Sequence, residues 1–171
     1  MPKPGGAVAL RPIRPGDLGW IIGRHGAIYA QEYGFDISFE ILVAESLAGL
    51  MRKFDPARDA GWIAEIDGVA VGSVMLVHDA DNTAKLRFLI LDAGARGRGV
   101  GRLLVETALR FARQTGYARI SLWTMEMLSA ARAIYAALGF QLISSTSGHN
   151  FGVDTVDEVW AIDLTQDPAA P

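Results

Sequence analysis

Cysteine is missing altogether from the 171 residues. Its absence excludes disulfides, thiolate metal sites and a cysteine nucleophile together, and it fits a reducing cytoplasm. Histidine is scarce. His25, His78 and His149 are the three present, widely spaced, and they argue against a histidine-built metal site, so no metal is expected. No stretch has the ~18 to 20 uninterrupted apolar residues that a membrane span needs. Met1 to Arg14 has prolines and glycines where a secretory signal would have its apolar core. Basic charge is not in excess: 16 Lys+Arg face 19 Asp+Glu, a net charge of −3. A protein that lives on a nucleic-acid backbone would be strongly basic, so no nucleic-acid partner is expected.

Half of the residues are hydrophobic and 20% are charged, enough apolar material for a sizeable core and too much for wholesale disorder. The length fits a single compact domain, expected over residues 7–165, with Pro/Gly-rich or polar tails at 1–6 and 166–171. No linker, repeat or low-complexity block interrupts it.

Ala7 to Ile13 reads as a first strand. Asp17 is placed to cap a helix running to about Tyr29, and Glu32 to Asp36 reads as a loop. Phe39, Leu42, Val43, Leu47, Leu50, Met51 and Phe54 then follow helical spacing, stopped by Asp55-Pro56. The period changes at Trp62. Asp67-Gly68 lies between two strand-like runs and tolerates the positive φ angles of a type I′ hairpin turn. Ala84 to Leu91 is a further strand, apolar enough late on for a sheet centre covered on both faces. Gly94 to Gly101 is a basic, glycine-rich loop. An amphipathic helix runs from it to Gln114, with Gly116 as its C′ residue. Ala118 to Thr124 is a strand and Leu128 to Leu138 a helix stopped by Gly139. Phe140 to Ser144 and Val156 to Leu164 are closing strands, joined by a polar loop containing His149, Asn150, Phe151 and Gly152. The order is β-α-α-β-β-β-α-β-α-β-β.

The richest feature is the passage from Leu89-Ile90-Leu91 through Arg96-Gly97-Arg98-Gly99-Val100-Gly101 into a helix. Glycines let the backbone approach a ligand closely, and the free N–H groups of a first helical turn point at it. With Arg96, Arg98 and Arg102 added, phosphate or pyrophosphate is the natural guest. A P-loop would need Lys-Ser/Thr after its second glycine; here Val100-Gly101 follows Gly99. A dinucleotide fingerprint fails at its third glycine, which would be Arg102 or Leu104. The pattern Arg/Gln-x-x-Gly-x-Gly/Ala is matched in full by residues 96–101.

On those residues the chain resembles the GNAT superfamily of N-acetyltransferases. The likeness is strengthened by Leu89 to Leu91 upstream and by Tyr135-Ala136-Ala137-Leu138-Gly139-Phe140, similar to the family's Tyr-x-x-x-Gly-Phe run. Glu32 to Asp36, Ala84 to Arg87, Leu122 to Thr124 and His149 to Gly152 also look similar to acetyltransferase domains fused behind MarR-type winged helices. No such DNA-binding domain is expected here, because the acetyltransferase-like pattern takes up the chain. The resemblance implies an α/β (α+β) fold with a mixed, largely antiparallel sheet of six or seven strands and helices on both faces.

It also implies acetyl-CoA as acetyl donor. The pyrophosphate would sit on Arg96, Gly97, Arg98, Gly99, Val100 and Gly101, and the pantetheine would pair like an added strand with Leu89, Ile90 and Leu91. Tyr135 would protonate the leaving thiolate. Many relatives carry a glutamate base on the following strand, where this chain has Trp123; Glu126, acting through water, is the expected substitute, with Glu32 or Asp36 as alternatives. Relatives often have a cofactor-binding asparagine seven residues before the tyrosine. Leu128 stands there, and Ser129 is expected to take its place. Glu32, Tyr33, Trp123 and His149 are expected at the acceptor site, and Glu32, Asp36, Asp154, Asp157 and Glu158 near the mouth point to a cationic acceptor.

Each assignment has a plainer counterpart. Arg96 and Arg98 could form a solvated basic face, Tyr135 could be a core aromatic, and Glu126 a surface acid. Trp123 reads as pocket wall, and His25 and His78 as structural. The function expected is acetyl transfer to a small-molecule or peptide amine in the cytoplasm, with no membrane partner; a homodimer is compatible with the sequence. A non-catalytic acyl-CoA sensor is the competing function, and a nucleotide-binding dehydrogenase fragment a third.

Overall fold

The structure is a computed structural model in which residues 5–166 are described; most of both expected tails lies outside them. Seven strands form one sheet in the order β1-β2-β3-β4-β5-β7-β6. The strands are β1 (Val8–Pro12), β2 (Ala60–Ile66), β3 (Val69–Ala80), β4 (Thr83–Leu91), β5 (Arg119–Met125), β6 (Gln141–Asn150) and β7 (Val153–Asp163). The helices are α1 (Asp17–Tyr33), α2 (Ile37–Met51), α3 (Val100–Thr115) and α4 (Ser129–Ala137), with a short 3-10 turn at Ala93–Ala95. Only β4 and β5 run parallel, because α3 carries the chain from one to the other; the remaining neighbours are antiparallel. The expected element order and sheet class are those observed.

Alternation on β3 shows how the sheet is covered. Val74 and Leu76 join a core with Leu104, Val105 and Ala108 of α3. Their neighbours Met75 and Val77 join a second core with Ile21 of α1 and Leu47 of α2. A third cluster, with Phe35, Phe39, Val43 and Met125, lies under Phe151 and Val153. The Asp67-Gly68 turn has φ of 52° and 76°, as a type I′ hairpin requires.

Three local expectations are corrected. The α1 cap is Gly16, not Asp17. Asp17 is the first helical residue, and its carboxylate instead accepts from the Arg14 N–H at 2.7 Å and from the Arg11 guanidinium. The loop over Glu32 to Asp36 shrinks: α1 continues through Tyr33, Gly34 closes it at φ 74°, and Asp36 caps α2 by accepting from the Ser38 N–H at 3.0 Å. The polar loop over His149 and Asn150 is strand. β6 and β7 extend toward each other and are joined by Phe151 and Gly152 alone, both at positive φ (56° and 80°). β6 is an edge strand exposed along nearly its whole length, so no buried alternation marked it in the sequence.

Candidate acyl-transfer site

β4 and β5 are paired from Thr83 and Arg119 only as far as Leu86 and Leu122. Beyond that point each strand continues, β4 along β3 and β5 along β7, and the two part. A bulge helps to turn β4 away: Phe88 and Leu89 together oppose Val74, and Phe88 takes a left-handed φ of 54°. Ser73, fully buried, steadies the bulge by donating from its hydroxyl to the Phe88 carbonyl at 2.8 Å.

The parting opens a cavity of about 450 Å³ through the sheet. Tyr135 and Ala131 of α4 line it on one side, and Leu42 and Ser46 of α2 on the other, with Arg87 and Trp123 at the strands. Leu89 also lines it, whereas Ile90 is buried and Leu91 half-buried.

At the end of β4 the chain enters the glycine loop. Gly97 and Gly99 have φ of 72° and 76°, and a Cβ on either would meet nothing within 4 Å, so the backbone faces open space. Gly99 caps α3, whose first backbone bond runs from the Leu103 N–H to the Gly99 carbonyl at 3.0 Å. The N–H groups of Val100, Gly101 and Arg102 come before that bond and point out of the helix start, a ready site for an anion. Val100 and Gly101 are themselves buried. A Cβ on Gly101 would lie 2.9 Å from Ile134 and 3.0 Å from Leu91, so this glycine serves the packing of α3 against α4 and β4 as well.

Arg96 and Arg98 of the loop and Arg102 of α3 are held. Arg96 pairs with Glu32 at 2.8 Å, Arg98 donates to the Gly6 carbonyl at 2.6 Å, and Arg102 pairs with Glu106 one turn along α3. Beside them Arg24 of α1 pairs with Asp92 at 2.6 Å.

Tyr135 is buried between Phe140 and Trp160 and still borders the cavity. Burial pushes its phenol well above the ordinary range, so the hydroxyl keeps its proton, and no hydrogen bond to it is found among the described residues. His25, given only a structural role by the sequence, also lines the cavity. Its Nδ1 lies 2.7 Å from the Ile21 carbonyl, which makes Nδ1 the donor, and burial lowers its pKa to about 4, so the ring is neutral. The i, i+4 spacing of His25 and Tyr29 on α1 was the available signal; both rings face the cavity and stack at 6.0 Å.

Other expected site residues fall elsewhere. Trp123 borders the cavity and is 48% exposed. Tyr33 packs beside Tyr29 and Phe35. Glu126 is exposed just past β5, and Ser129 is exposed as the first residue of α4; neither lines the cavity. His149 is on β6, paired with Asp154 across the hairpin at 2.7 Å, also away from the cavity.

A helix N-terminus with an open glycine cradle, leading into a gap between parallel strands, suits an extended ligand that carries phosphate. Comparison with known proteins gives the family. Residues 27–140 match the Acetyltransferase (GNAT) family, and the chain belongs to it. N-acetylaspartate synthetase of Rattus norvegicus is 34% identical over 87 residues, which are 50% of this chain and 29% of that protein. An uncharacterized N-acetyltransferase of Schizosaccharomyces pombe is 31% identical over 116 residues, 66% of this chain and 70% of the other. Among solved structures, a Salmonella typhimurium protein with its cofactor acetyl-CoA superposes with a TM-score of 0.72 at 16% identity, covering 96% of this chain and 98% of that one. The chain spans about a third of the N-acetylaspartate synthetases that it matches, 34% and 29% of their lengths in two species. Acetyl-CoA is the acetyl donor of this family, and the cradle and strand gap fit its diphosphate and pantetheine. No helix is long and apolar enough to cross a membrane among the described residues.

Proposed function

We propose that the protein moves an acetyl group from acetyl-CoA to a primary amine by direct attack. The observation that carries this reading is the parting of β4 and β5 after Leu86 and Leu122, with the glycine cradle at one end and Tyr135 on its wall. Acetyl-CoA supplies a thioester carbonyl open to an amine and a thiolate that can leave.

The chain's own residues do the rest. The N–H groups at Val100 to Arg102, with Gly97 and Gly99 giving access, hold the diphosphate. The backbone of Leu89 to Leu91 offers an edge to the pantetheine and N–H groups that polarise the thioester carbonyl. Tyr135 keeps its proton and donates it to the departing sulfur. The attacking amine gives up its proton through water to Glu126, which is exposed at the β5 end. Ser129, at the α4 start, binds the cofactor in place of the family asparagine. Trp123, on the cavity wall, borders the acceptor path, with Glu32, Tyr33 and His149 farther out and not on the cavity wall. In this reading the protein works in the cytoplasm, and it is similar to acetyltransferase domains fused to MarR-type regulators.

Release of CoA thiol on mixing acetyl-CoA with a panel of amines tests the reading. Binding of CoA with no release from any amine would favour an acyl-CoA sensor instead.

A further inference from the structure

We infer that the acceptor amine also carries a carboxylate, which Arg87 binds on the α1–α2 side of the sheet opening. This rests on the acetyl-transfer reading and names the substrate class of the same site.

The first support is placement. Lys85 and Arg87 alternate on β4 in register with Val77 and Met75, whose side chains belong to the α1–α2 core. Both basic residues therefore face that side and line the cavity, opposite the helix that carries Tyr135. Ser121 lies beside Lys85 on β5, and Ser46 faces them from α2.

The second support is charge. Among the described residues no aspartate or glutamate lines the cavity; its ionisable residues there are His25, Tyr29, Lys85, Arg87 and Tyr135. Lys85 is already paired with Asp79 at 3.1 Å. Arg87 has no hydrogen bond and no ion pair among the described residues; its guanidinium lies 4.9 Å from the centre of the Phe88 ring. Its half-burial takes the donors of that guanidinium partly out of water without an acceptor in return. The planar fork of an arginine matches a carboxylate in two-point geometry.

The acids that the sequence placed near the mouth have partners of their own, and none lines the cavity, though the second oxygen of Asp157 is buried and has no hydrogen bond among the described residues. Glu32 pairs with Arg96, Glu158 with Arg132, and Asp154 with His149. Asp36 caps α2, and Asp157 accepts from Asn150 at 3.1 Å. The expectation of a cationic acceptor loses support from those acids, and the charge of the cavity suits an amino acid better than a polyamine. The same positive charge favours the neutral form of a nearby amine, the form that attacks.

The test uses the full chain with acetyl-CoA and reads CoA-thiol release from matched acceptors: α- and β-amino acids, their carboxamides and their decarboxylated amines. The expected kcat/KM is about 10- to 100-fold higher for the carboxylates. Arg87→Gln should abolish that preference, chiefly through KM, and Arg87→Lys should restore part of it, while the thermal shift caused by CoA stays unchanged. Equal use of carboxamides or simple amines, or a preference that survives Arg87→Gln, overturns the inference. If CoA binds but no amine is used, the transfer reading falls separately. Calorimetry of amino acid and carboxamide against the CoA-bound protein and its Arg87→Gln variant then decides: tighter binding of the amino acid, lost in the variant, supports Arg87, and equal binding refutes it.

Discussion

Leu86 and Leu122 face each other at the last paired position of β4 and β5, and everything the site does follows from what happens next. A parallel ladder that simply continued would close the space between the strands with backbone hydrogen bonds. Here one strand bulges at Phe88 while the other keeps to β7, and the sheet opens where a buried tyrosine and a half-buried arginine approach from opposite sides.

CoA and acetyl-CoA should both stabilise the fold, since the diphosphate and pantetheine assigned to the cradle and strand gap are common to both. At 100 times the dissociation constant the gain is about 2.7 kcal/mol, readable as a rise in Tm. No shift at millimolar CoA would remove the cofactor assignment.

Gly99→Asp should abolish CoA binding and leave the protein folded. The position is open, so a side chain meets no neighbour, but a carboxylate there opposes a diphosphate, and the φ of 76° adds strain of order 1 kcal/mol. Gly101→Asp should differ: its Cβ would press on Ile134 and Leu91, so a lowered Tm is expected beside lost binding. Thermal melts with and without CoA separate the two cases. Unchanged CoA affinity in Gly99→Asp would reduce the loop to a surface turn.

The cradle and the α3 amphipathic pattern were legible in the sequence because both are local: glycine spacing and a helical stripe need no knowledge of partners. So was the Asp67-Gly68 turn. The long β6 was not, because an exposed edge strand has no buried face to set an alternation. Nor was Arg87. Lys85-Leu86-Arg87 alternates as any strand does, and only the long-range register, with β5 parting at Leu122, places that arginine in a cavity instead of under a helix. Gly16 displaced Asp17 as cap because Arg11, 6 residues earlier, claims the carboxylate at 2.7 Å.

Glu32→Gln should tighten CoA binding by up to about fivefold, because it releases Arg96 from its ion pair beside the cradle. Exposed pairs are worth roughly 0.2–1 kcal/mol, which sets that ceiling. Weaker binding, by calorimetry at low salt, would mean that Glu32 positions Arg96 instead of competing for it.

His25 should make stability fall in mild acid. Its pKa is about 4 in the fold against an ordinary 6.5, so the unfolded chain binds the extra proton. The contribution is complete above pH 6.5 and is lost as pH falls toward 4. At about 1.36 kcal/mol per unit, roughly 3 kcal/mol is at stake. Urea melts at pH 7 and 4.5, compared with His25→Gln, isolate this share from that of the carboxylates. An equal acid loss in the variant would contradict it.

Tyr135→Phe offers the most direct measurement, because its hydroxyl borders the cavity, has no hydrogen bond among the described residues, and is assigned to the reaction. The ring stays, so packing against Phe140 and Trp160 should survive. If the phenol protonates the leaving thiolate, kcat on a good acceptor should fall by ~10²–10⁴-fold, or at least tenfold where water substitutes, with little change in acetyl-CoA affinity. A wild-type kcat, under conditions where chemistry limits turnover, would take Tyr135 out of the reaction and leave it a core aromatic.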